Sequence, residues 1–190
     1  SEANLTALLV ARERLSFAER DRAVLFVTEQ RHWSVDRAAK VIGFRPDQVA
    51  PVATGADFRM RPEALAAAAR AARSDGRLPW AVVANAGATN TGAVDPLAAL
   101  ADVCRDAGLW LHADAAYGWP AVLTPEGKAA LAGIERADSV TLDPHKWFAQ
   151  PFEAGCLLVR DGRRLPETFA MLPDYMQDVA PAANEVNFCD

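Results

Sequence analysis

The chain has 190 residues, 51% of them hydrophobic and 24% charged, a balance typical of a folded globular domain rather than of a disordered or membrane-spanning chain. Twenty basic against twenty-five acidic residues give a net charge of -5 without a basic run, so nucleic acid and anionic membranes are poor candidate partners. The three cysteines, Cys104, Cys156 and Cys189, are odd in number and include no CxxC pair, which argues against a disulfide framework or a zinc site. This pattern indicates a reducing compartment such as the cytoplasm.

The two ends of the sequence suggest a piece of a longer protein. Ser1 stands inside a helix-like pattern, and the chain stops at Asp190 without a terminus signal. Ser1 also precedes the leucines of the first predicted helix, where free N–H groups and the helix dipole suit a phosphate. An ordinary helix start explains Ser1 equally well.

Short apolar runs alternate with helical patterns along the chain. The runs predict buried strands at 23–28, 48–52, 80–84 and 109–114, then from 137 to the Asp143-Pro144 pair, and finally at 155–159. Helices are predicted from an N-cap at Ser34 through Ile42, from Pro62 to about Ser74, and after Asp95-Pro96 as N-cap and first turn. This alternation predicts an α/β fold with a largely parallel sheet and helices on both faces.

Polar residues follow several of the predicted strands, where open α/β sheets bind their ligands. His32, Thr89, Asp114 and Lys146 would therefore converge at one edge of the sheet. Asp114 emerges among small residues with no helix beginning beside it, so it should face a buried positive group. Lys146 is predicted on a loop after Asp143-Pro144, where its amine could form a Schiff base with an aldehyde, although an isolated loop lysine is more often a solvated charge.

Five stretches, in this order, resemble the large domain of the pyridoxal-phosphate (PLP) dependent amino-acid decarboxylases of fold type I, the group that includes aromatic-L-amino-acid and glutamate decarboxylases. They are Ser1-Glu-Ala-Asn4, Gln30-Arg-His-Trp-Ser34, Asn85-Ala-Gly-Ala-Thr-Asn-Thr-Gly-Ala-Val-Asp95, His112-Ala-Asp-Ala-Ala-Tyr-Gly118 and Asp143-Pro-His-Lys-Trp147. The resemblance implies that residues 1–190 are part of a PLP-binding large domain. An upstream segment and a C-terminal small domain would lie outside them.

The resemblance also implies roles around the cofactor. Lys146 would hold PLP as an internal aldimine, and Asp114 would pair with the protonated pyridine nitrogen so that the ring can take up electrons in a quinonoid. His32 would stack on one face of the ring, and the small Ala116 would pack against the other.

Further roles follow from the same resemblance. Thr89 would lie beside the cofactor, Ser1 would hold its phosphate, and His145 would lie near the phosphate and the substrate. Tyr175, 29 residues after Lys146, matches a tyrosine on the family's mobile catalytic loop that protonates the substrate carbon once carbon dioxide has left. Relatives that make aldehydes carry phenylalanine there, so Tyr175 favours simple decarboxylation.

Two positions depart from the family pattern. Asp143 stands where the animal aromatic enzymes have an asparagine near the phosphate, and an additional anion there argues against direct phosphate contact. Arg31 and Trp33 are bulkier than the usual neighbours of the stacking histidine.

The leading hypothesis is PLP-dependent decarboxylation of an L-amino acid, with an aromatic substrate favoured by general likeness, in a cytoplasmic homodimer whose active site lies at the interface. Another fold type I reaction, such as aldehyde synthesis, aminotransfer or lysis, could use the same Asp114 and Lys146, because fold and cofactor do not choose the bond. A non-catalytic subunit or fragment is the alternative from a different class.

Overall fold

A single six-stranded sheet forms the centre of the computed structural model, which describes residues 2–170. The strands are β1 (Ala23–Thr28), β2 (Val49–Val52), β3 (Leu78–Asn85), β4 (Trp110–Asp114), β5 (Ser139–Leu142) and β6 (Cys156–Val159). Their spatial order is β2-β1-β3-β4-β5-β6. The first five run parallel and β6 is antiparallel to β5, which confirms the largely parallel sheet.

Helices connect the strands on both sides of the sheet. They are α1 (Glu2–Arg12), α2 (Phe17–Arg20), α3 (Trp33–Val41), α4 (Pro62–Ser74), α5 (Leu97–Ala107), α6 (Pro125–Ala130), α7 (Pro144–Trp147) and α8 (Arg164–Phe169). Within residues 2–170, no helix has the length and apolarity needed to cross a membrane.

The core has two layers, one on each face of the sheet. Phe26 of β1 packs into a cluster with Leu65 of α4 and Leu100 of α5, whereas the preceding residue, Leu25, belongs to a second cluster with Leu8 of α1. Successive strand residues point to opposite faces, so a strand covered on both sides is apolar throughout. This explains why β1 is almost entirely hydrophobic and why every residue of β1 and β4 is buried.

Two predicted helix caps were wrong. The N-cap of α3 is His32, whose ring nitrogen accepts a hydrogen bond from the backbone of Ser34, so Ser34 is the second residue of the helix. Pro96 occupies the cap position of α5. Asp95 is instead buried, and its oxygens accept hydrogen bonds from the backbone N–H groups of Met60 and of Asn85 at the end of β3, each at 2.6 Å.

The sequence predicted that Lys146 lies on a loop, and this prediction was wrong. Lys146 lies in the short helix α7. The Asp143-Pro144 pair does end β5, yet Pro144 then occupies the first helical position, where its fixed φ favours a helical turn. The turn rigidly orients the side chains that follow the strand.

The carboxyl ends of the parallel strands meet at one edge of the sheet. Asn85 at the end of β3 lies in register with Asp114 at the end of β4, and Asp114 lies in register with Thr141 of β5. Side chains that leave these strand ends therefore face a common volume.

Candidate active site

A cleft of about 220 Å³ opens at the carboxyl edge of the sheet. Six of the predicted site residues line it: His32, Thr89, Asp114, Ala116, His145 and Lys146. The convergence predicted for His32, Thr89, Asp114 and Lys146 is thus observed. Two further predicted residues, Ser1 and Tyr175, lie outside the described residues.

Lys146 contacts a buried carboxylate one helical turn before it. Its Nζ lies 3.2 Å from Oδ2 of Asp143, whose side chain is only 6% exposed, whereas the lysine side chain is 34% exposed towards the cleft. The other oxygen of Asp143 has no hydrogen-bond partner among the described residues. Lys146 is therefore held by a single ion pair and remains accessible from the cleft.

His145 is oriented by the backbone of the segment after α7. Its Nδ1 lies 2.7 Å from the carbonyl oxygen and 3.2 Å from the backbone nitrogen of Ala154. Its Nε2 lies 3.8 Å from Asp143 Oδ2, and the ring packs edge-on against Phe152. The imidazole thus lies beside the lysine with its second nitrogen directed at the carboxylate.

Asp114 is a buried carboxylate without a basic partner in the described part of the chain. Its Oδ2 accepts a hydrogen bond of 2.8 Å from the side-chain amide of Asn4, and its Oδ1 accepts one of 3.2 Å from the backbone of Ala116. No lysine, arginine or histidine among residues 2–170 forms an ion pair with it. A buried anion fixed in this way suits a cationic group that enters from the cleft.

His32 lines the cleft in a defined tautomer. Its Nδ1 lies 2.7 Å from the hydroxyl oxygen of Ser34 and also accepts from the Ser34 backbone, so the ring proton of the neutral form is on Nε2. Burial lowers the pKa of His32, and Lys146 lowers it further, while Asp114 opposes the change. A neutral, flat ring is therefore favoured at neutral pH.

Two glycines let the loops after β3 and β4 touch backbone to backbone. Gly87 has a left-handed φ of +109°, and a Cβ on it would lie 2.9 Å from the backbone of Gly118. A Cβ on Gly118 would collide with the carbonyl oxygen of Ala86. This close approach brings Thr89 and Ala116 to the same cleft.

These groups fit one kind of cofactor. PLP needs a lysine amine for its aldehyde and a carboxylate for its protonated ring nitrogen, and its flat ring needs planar or small neighbours. Lys146, Asp114, His32 and Ala116 supply these four features around one cleft.

The comparison with known families agrees with this chemistry. A family model described as the pyridoxal-dependent decarboxylase conserved domain matches residues 1–188. The chain belongs to the pyridoxal-dependent decarboxylase family. Its cofactor is PLP.

Curated decarboxylases match the chain along most of its length. An aromatic-L-amino-acid decarboxylase from Bacillus atrophaeus is 48% identical over 189 residues, which cover 99% of this chain and 39% of the relative. An L-2,4-diaminobutyrate decarboxylase from Rhizobium meliloti (strain 1021) is 40% identical over 161 residues, which cover 85% of this chain and 32% of the relative. The chain thus spans about two fifths or less of the length of these relatives.

A solved decarboxylase structure has the same fold. The crystal structure of Oryza sativa TDC with PLP and tryptamine superposes with a TM-score of 0.87 at 35% identity, covering 93% of this chain and 38% of that one. The present sheet is therefore that of fold type I. A relative with a different product also matches: a phenylacetaldehyde synthase from Arabidopsis thaliana is 33% identical over 192 residues, covering 98% of this chain and 39% of the relative.

The sequence did not predict several residues that line the cleft. Asn4, Ser34, Asn85, Tyr117 and Thr141 all contribute to it. Most of them stand inside the motifs that carried the family resemblance, but they were given no role. Asn85 and Thr141 could have been found from their places at the ends of strands, whereas nothing local distinguishes Asn4 on a helix face from an ordinary core residue.

Proposed function

We propose that the protein of which this chain is part decarboxylates an L-amino acid, releasing its amine and carbon dioxide, with an aromatic substrate preferred. The observation that carries the proposal is that Lys146 and a buried Asp114 without a basic partner among residues 2–170 line one cleft. The relative named as an aromatic-L-amino-acid decarboxylase, at 48% identity, supports the substrate class. The match to a diaminobutyrate decarboxylase is weaker, at 40% over a shorter stretch.

PLP, when bound, supplies an aldehyde that condenses with amines and a ring that accepts the electrons of the broken carbon–carboxylate bond. The role of Lys146 is to bind the cofactor and yield to the incoming amino acid. Asp114 keeps a proton on the ring nitrogen by placing a fixed negative charge beside it. His32 and Ala116 would hold the ring between them, Thr89 would lie beside the cofactor, and His145 would lie near the phosphate and the substrate.

Two residues outside the described range complete the proposed site. Ser1 precedes α1, where a hydroxyl and free N–H groups suit the cofactor phosphate. Tyr175 donates the proton that replaces carbon dioxide on the substrate carbon.

The competing reaction is aldehyde synthesis. It consumes dioxygen and water and yields the aldehyde, carbon dioxide, ammonia and hydrogen peroxide. The match to a phenylacetaldehyde synthase makes this reaction the second candidate.

We also propose a homodimer with the active site at its interface. Tyr117 and Phe152, which line the cleft, are 46% and 81% exposed, and Trp147, which packs edge-on against Tyr117, is 59% exposed. Apolar surface of this kind beside a site usually has a partner, and the family resemblance indicates that the partner is a second copy. Sedimentation of the full-length protein tests this, and a monomer with full activity would contradict it.

The chain is proposed to be part of a PLP-binding large domain, with an upstream segment and a C-terminal small domain outside residues 1–190. Its coverage of 39% of a relative's length supports this. We expect residues 1–190 alone to be poorly active for this reason. The cytoplasm is the proposed location, since Cys104 and Cys156 are free thiols.

Product analysis of the full-length protein tests the proposed reaction. The purified protein is supplied with PLP and a panel of L-amino acids that includes aromatic ones and 2,4-diaminobutyrate, and carbon dioxide, amine, aldehyde and hydrogen peroxide are measured. Equal amounts of carbon dioxide and amine, without peroxide, are expected. Aldehyde with peroxide would identify the second reaction instead.

The Lys146→Arg variant is the matched control for this assay. Arginine keeps a cation beside Asp143 but has no amine that condenses readily with an aldehyde. Loss of carbon dioxide release in Lys146→Arg assigns the reaction to the lysine amine rather than to its charge. Undiminished release in this variant would contradict the proposed role.

A further inference from the structure

A chain of buried hydrogen bonds lies behind Asp114, and Asn4 of α1 is at its centre. Asn4 is only 2% exposed. Its Nδ2 lies 2.8 Å from Asp114 Oδ2 and 3.1 Å from Ser34 Oγ, and its Oδ1 lies 3.0 Å from Nε2 of His112. One amide thus contacts residues from β4 and α3. We call Asn4, Ser34, His112, Asp114 and Ser139 the Asn4 network.

The direction of each hydrogen bond in the Asn4 network is fixed. The Asp114 carboxylate can only accept, so Asn4 must direct its NH₂ group there and its carbonyl oxygen at His112. His112 therefore carries its proton on Nε2 and accepts through Nδ1 from the Ser139 hydroxyl, 2.9 Å away. Burial lowers the pKa of His112 to about 4, which keeps this ring neutral at physiological pH.

A second branch of the Asn4 network reaches His32, which also lines the cleft. The Ser34 hydroxyl accepts from Asn4 and has its own proton left to donate to Nδ1 of His32. The same amide nitrogen therefore restrains Asp114 directly and the His32 ring through one hydroxyl. These two groups are the proposed partners of the ring nitrogen and of the ring face.

We infer that Asn4 is a positioning residue that aligns the Asp114 carboxylate and the His32 ring with each other in the cofactor site. The inference rests on the proposed function, because it takes Asp114 and His32 as partners of the PLP ring. Without the Asn4 amide, Asp114 loses its only side-chain donor among residues 2–170, and its carboxylate is held only by the 3.2 Å hydrogen bond from the backbone of Ala116. Binding of the ring then has to restore the alignment.

A double-mutant cycle on the full-length protein tests whether Asn4 acts through Asp114. The measured quantity is the dissociation constant of PLP for the wild type, Asn4→Leu, Asp114→Ala and the double variant. Loss of a hydrogen bond to a charged group predicts that Asn4→Leu weakens PLP binding about tenfold or more. In the Asp114→Ala background, the same change should alter the constant by less than about twofold.

Gln48→Leu is the matched control for the loss of a buried amide. Gln48 is 1% exposed and donates to the backbone carbonyls of Arg20 and Ala23, so its loss affects stability at a place that does not line the cleft. Gln48→Leu should lower the thermal midpoint yet leave the PLP dissociation constant within about twofold. If Asn4→Leu behaves like Gln48→Leu, Asn4 is only structural. An equal effect of Asn4→Leu in both backgrounds would also overturn the inference.

Asn4→Asp provides a second test if Asn4→Leu folds poorly. This variant keeps the shape of the side chain and the acceptor for His112, but it places a carboxylate oxygen opposite Asp114 Oδ2. Two carboxylates so close share a proton, which raises the pKa of the pair. Other titratable groups around the position are Asp143, His145 and Lys146 at α7, His32 at the start of α3, and His112 on β4.

The expected signature of Asn4→Asp is a new pH dependence of cofactor binding. The PLP dissociation constant should decrease as the pH rises from about 5.5 to 8.5, because the shared proton must leave before Asp114 can pair with the ring nitrogen. Identical pH profiles for the wild type and Asn4→Asp would contradict the inference. If the wild type binds PLP but neither Asn4 variant shows its expected effect, only the role of Asn4 is refuted. If the wild type binds no PLP, the proposed function is refuted as well.

Discussion

His112 is fully buried beside the cleft, and its protonation makes the stability of the folded protein depend on pH. Burial lowers the pKa of His112 from 6.5 to about 4 in the folded protein. Below pH 6.5 the unfolded chain binds a proton that the folded chain excludes, so stability is complete above that pH and falls as the pH decreases towards 4. The loss is of the order of 3 kcal/mol.

His112→Gln tests this linkage. Glutamine keeps one donor and one acceptor but does not titrate, so the free energy of unfolding of the variant should depend less steeply on pH between about 4 and 6.5. Chemical denaturation of both full-length proteins at several pH values measures the two slopes. Parallel curves would show that His112 does not carry the effect.

Tyr175 decides, in the proposed account, which product forms. Its hydroxyl is the proposed proton donor to the substrate carbon, and phenylalanine keeps the ring without the proton. Tyr175→Phe should lower amine formation at least about tenfold and raise the share of aldehyde and hydrogen peroxide. Quantifying both products in one reaction checks the prediction, with Tyr117→Phe as the control for loss of a tyrosine hydroxyl near the cleft. An unchanged product ratio in Tyr175→Phe would refute the assignment.

At the scale of elements, the contact between the loops after β3 and β4 shapes the cleft. A methyl group on Gly118 would collide with the backbone of Ala86, and a backbone carbonyl cannot move aside cheaply. Gly118→Ala should therefore lower the free energy of unfolding by about 1–3 kcal/mol and weaken PLP binding. Denaturation and cofactor titration of the full-length protein measure the two effects.

Gly162→Ala is the control for this substitution. A Cβ at Gly162 meets no atom within 4 Å, so the same chemical change should alter stability by less than about 0.5 kcal/mol. Equal effects of the two substitutions would show that the loop contact is not tight.

The six strands and the four longer helices, α1, α3, α4 and α5, could be predicted in order from the sequence, whereas the short helix α7 and the ends of the elements could not. The short apolar run of β1, rich in β-branched residues, is typical of a strand covered on both faces. The cap positions depend on tertiary contacts instead. Aspartate is a residue type favoured at N-caps, but the oxygens of Asp95 accept hydrogen bonds from two backbone N–H groups of other segments. Leaving these buried N–H groups unpaired would cost more free energy than leaving the helix uncapped.

The same distinction applies to the candidate site. His32, Asp114 and Lys146 were predictable because each follows a strand at the edge where parallel sheets bind ligands. Asn4 was not, since its role depends on α1 packing across the end of β4, a contact more than a hundred residues apart in sequence. Local patterns carry no information about such pairs.

For the whole molecule, the sheet separates two cores that should contribute independently to stability. Leu8 and Leu65 are both fully buried, on opposite faces. Leu8→Ala and Leu65→Ala should each cost about 2–5 kcal/mol, and their effects should add to within about 0.5 kcal/mol. Leu65 and Leu100 share one core, so alanine substitutions at that pair should deviate further from additivity. Denaturation of the single and double variants measures this, and coupling across the sheet as strong as within one core would contradict it.

The central claim is that Lys146 binds PLP covalently, and chemical trapping tests it most directly. The full-length wild type and Lys146→Arg are loaded with PLP, reduced with borohydride, digested and mapped by mass spectrometry. The account predicts a visible absorbance band in the wild type, a pyridoxyl label on the peptide that contains Lys146, and neither in Lys146→Arg. A folded wild type that shows no band, or a label on a different lysine, would contradict it.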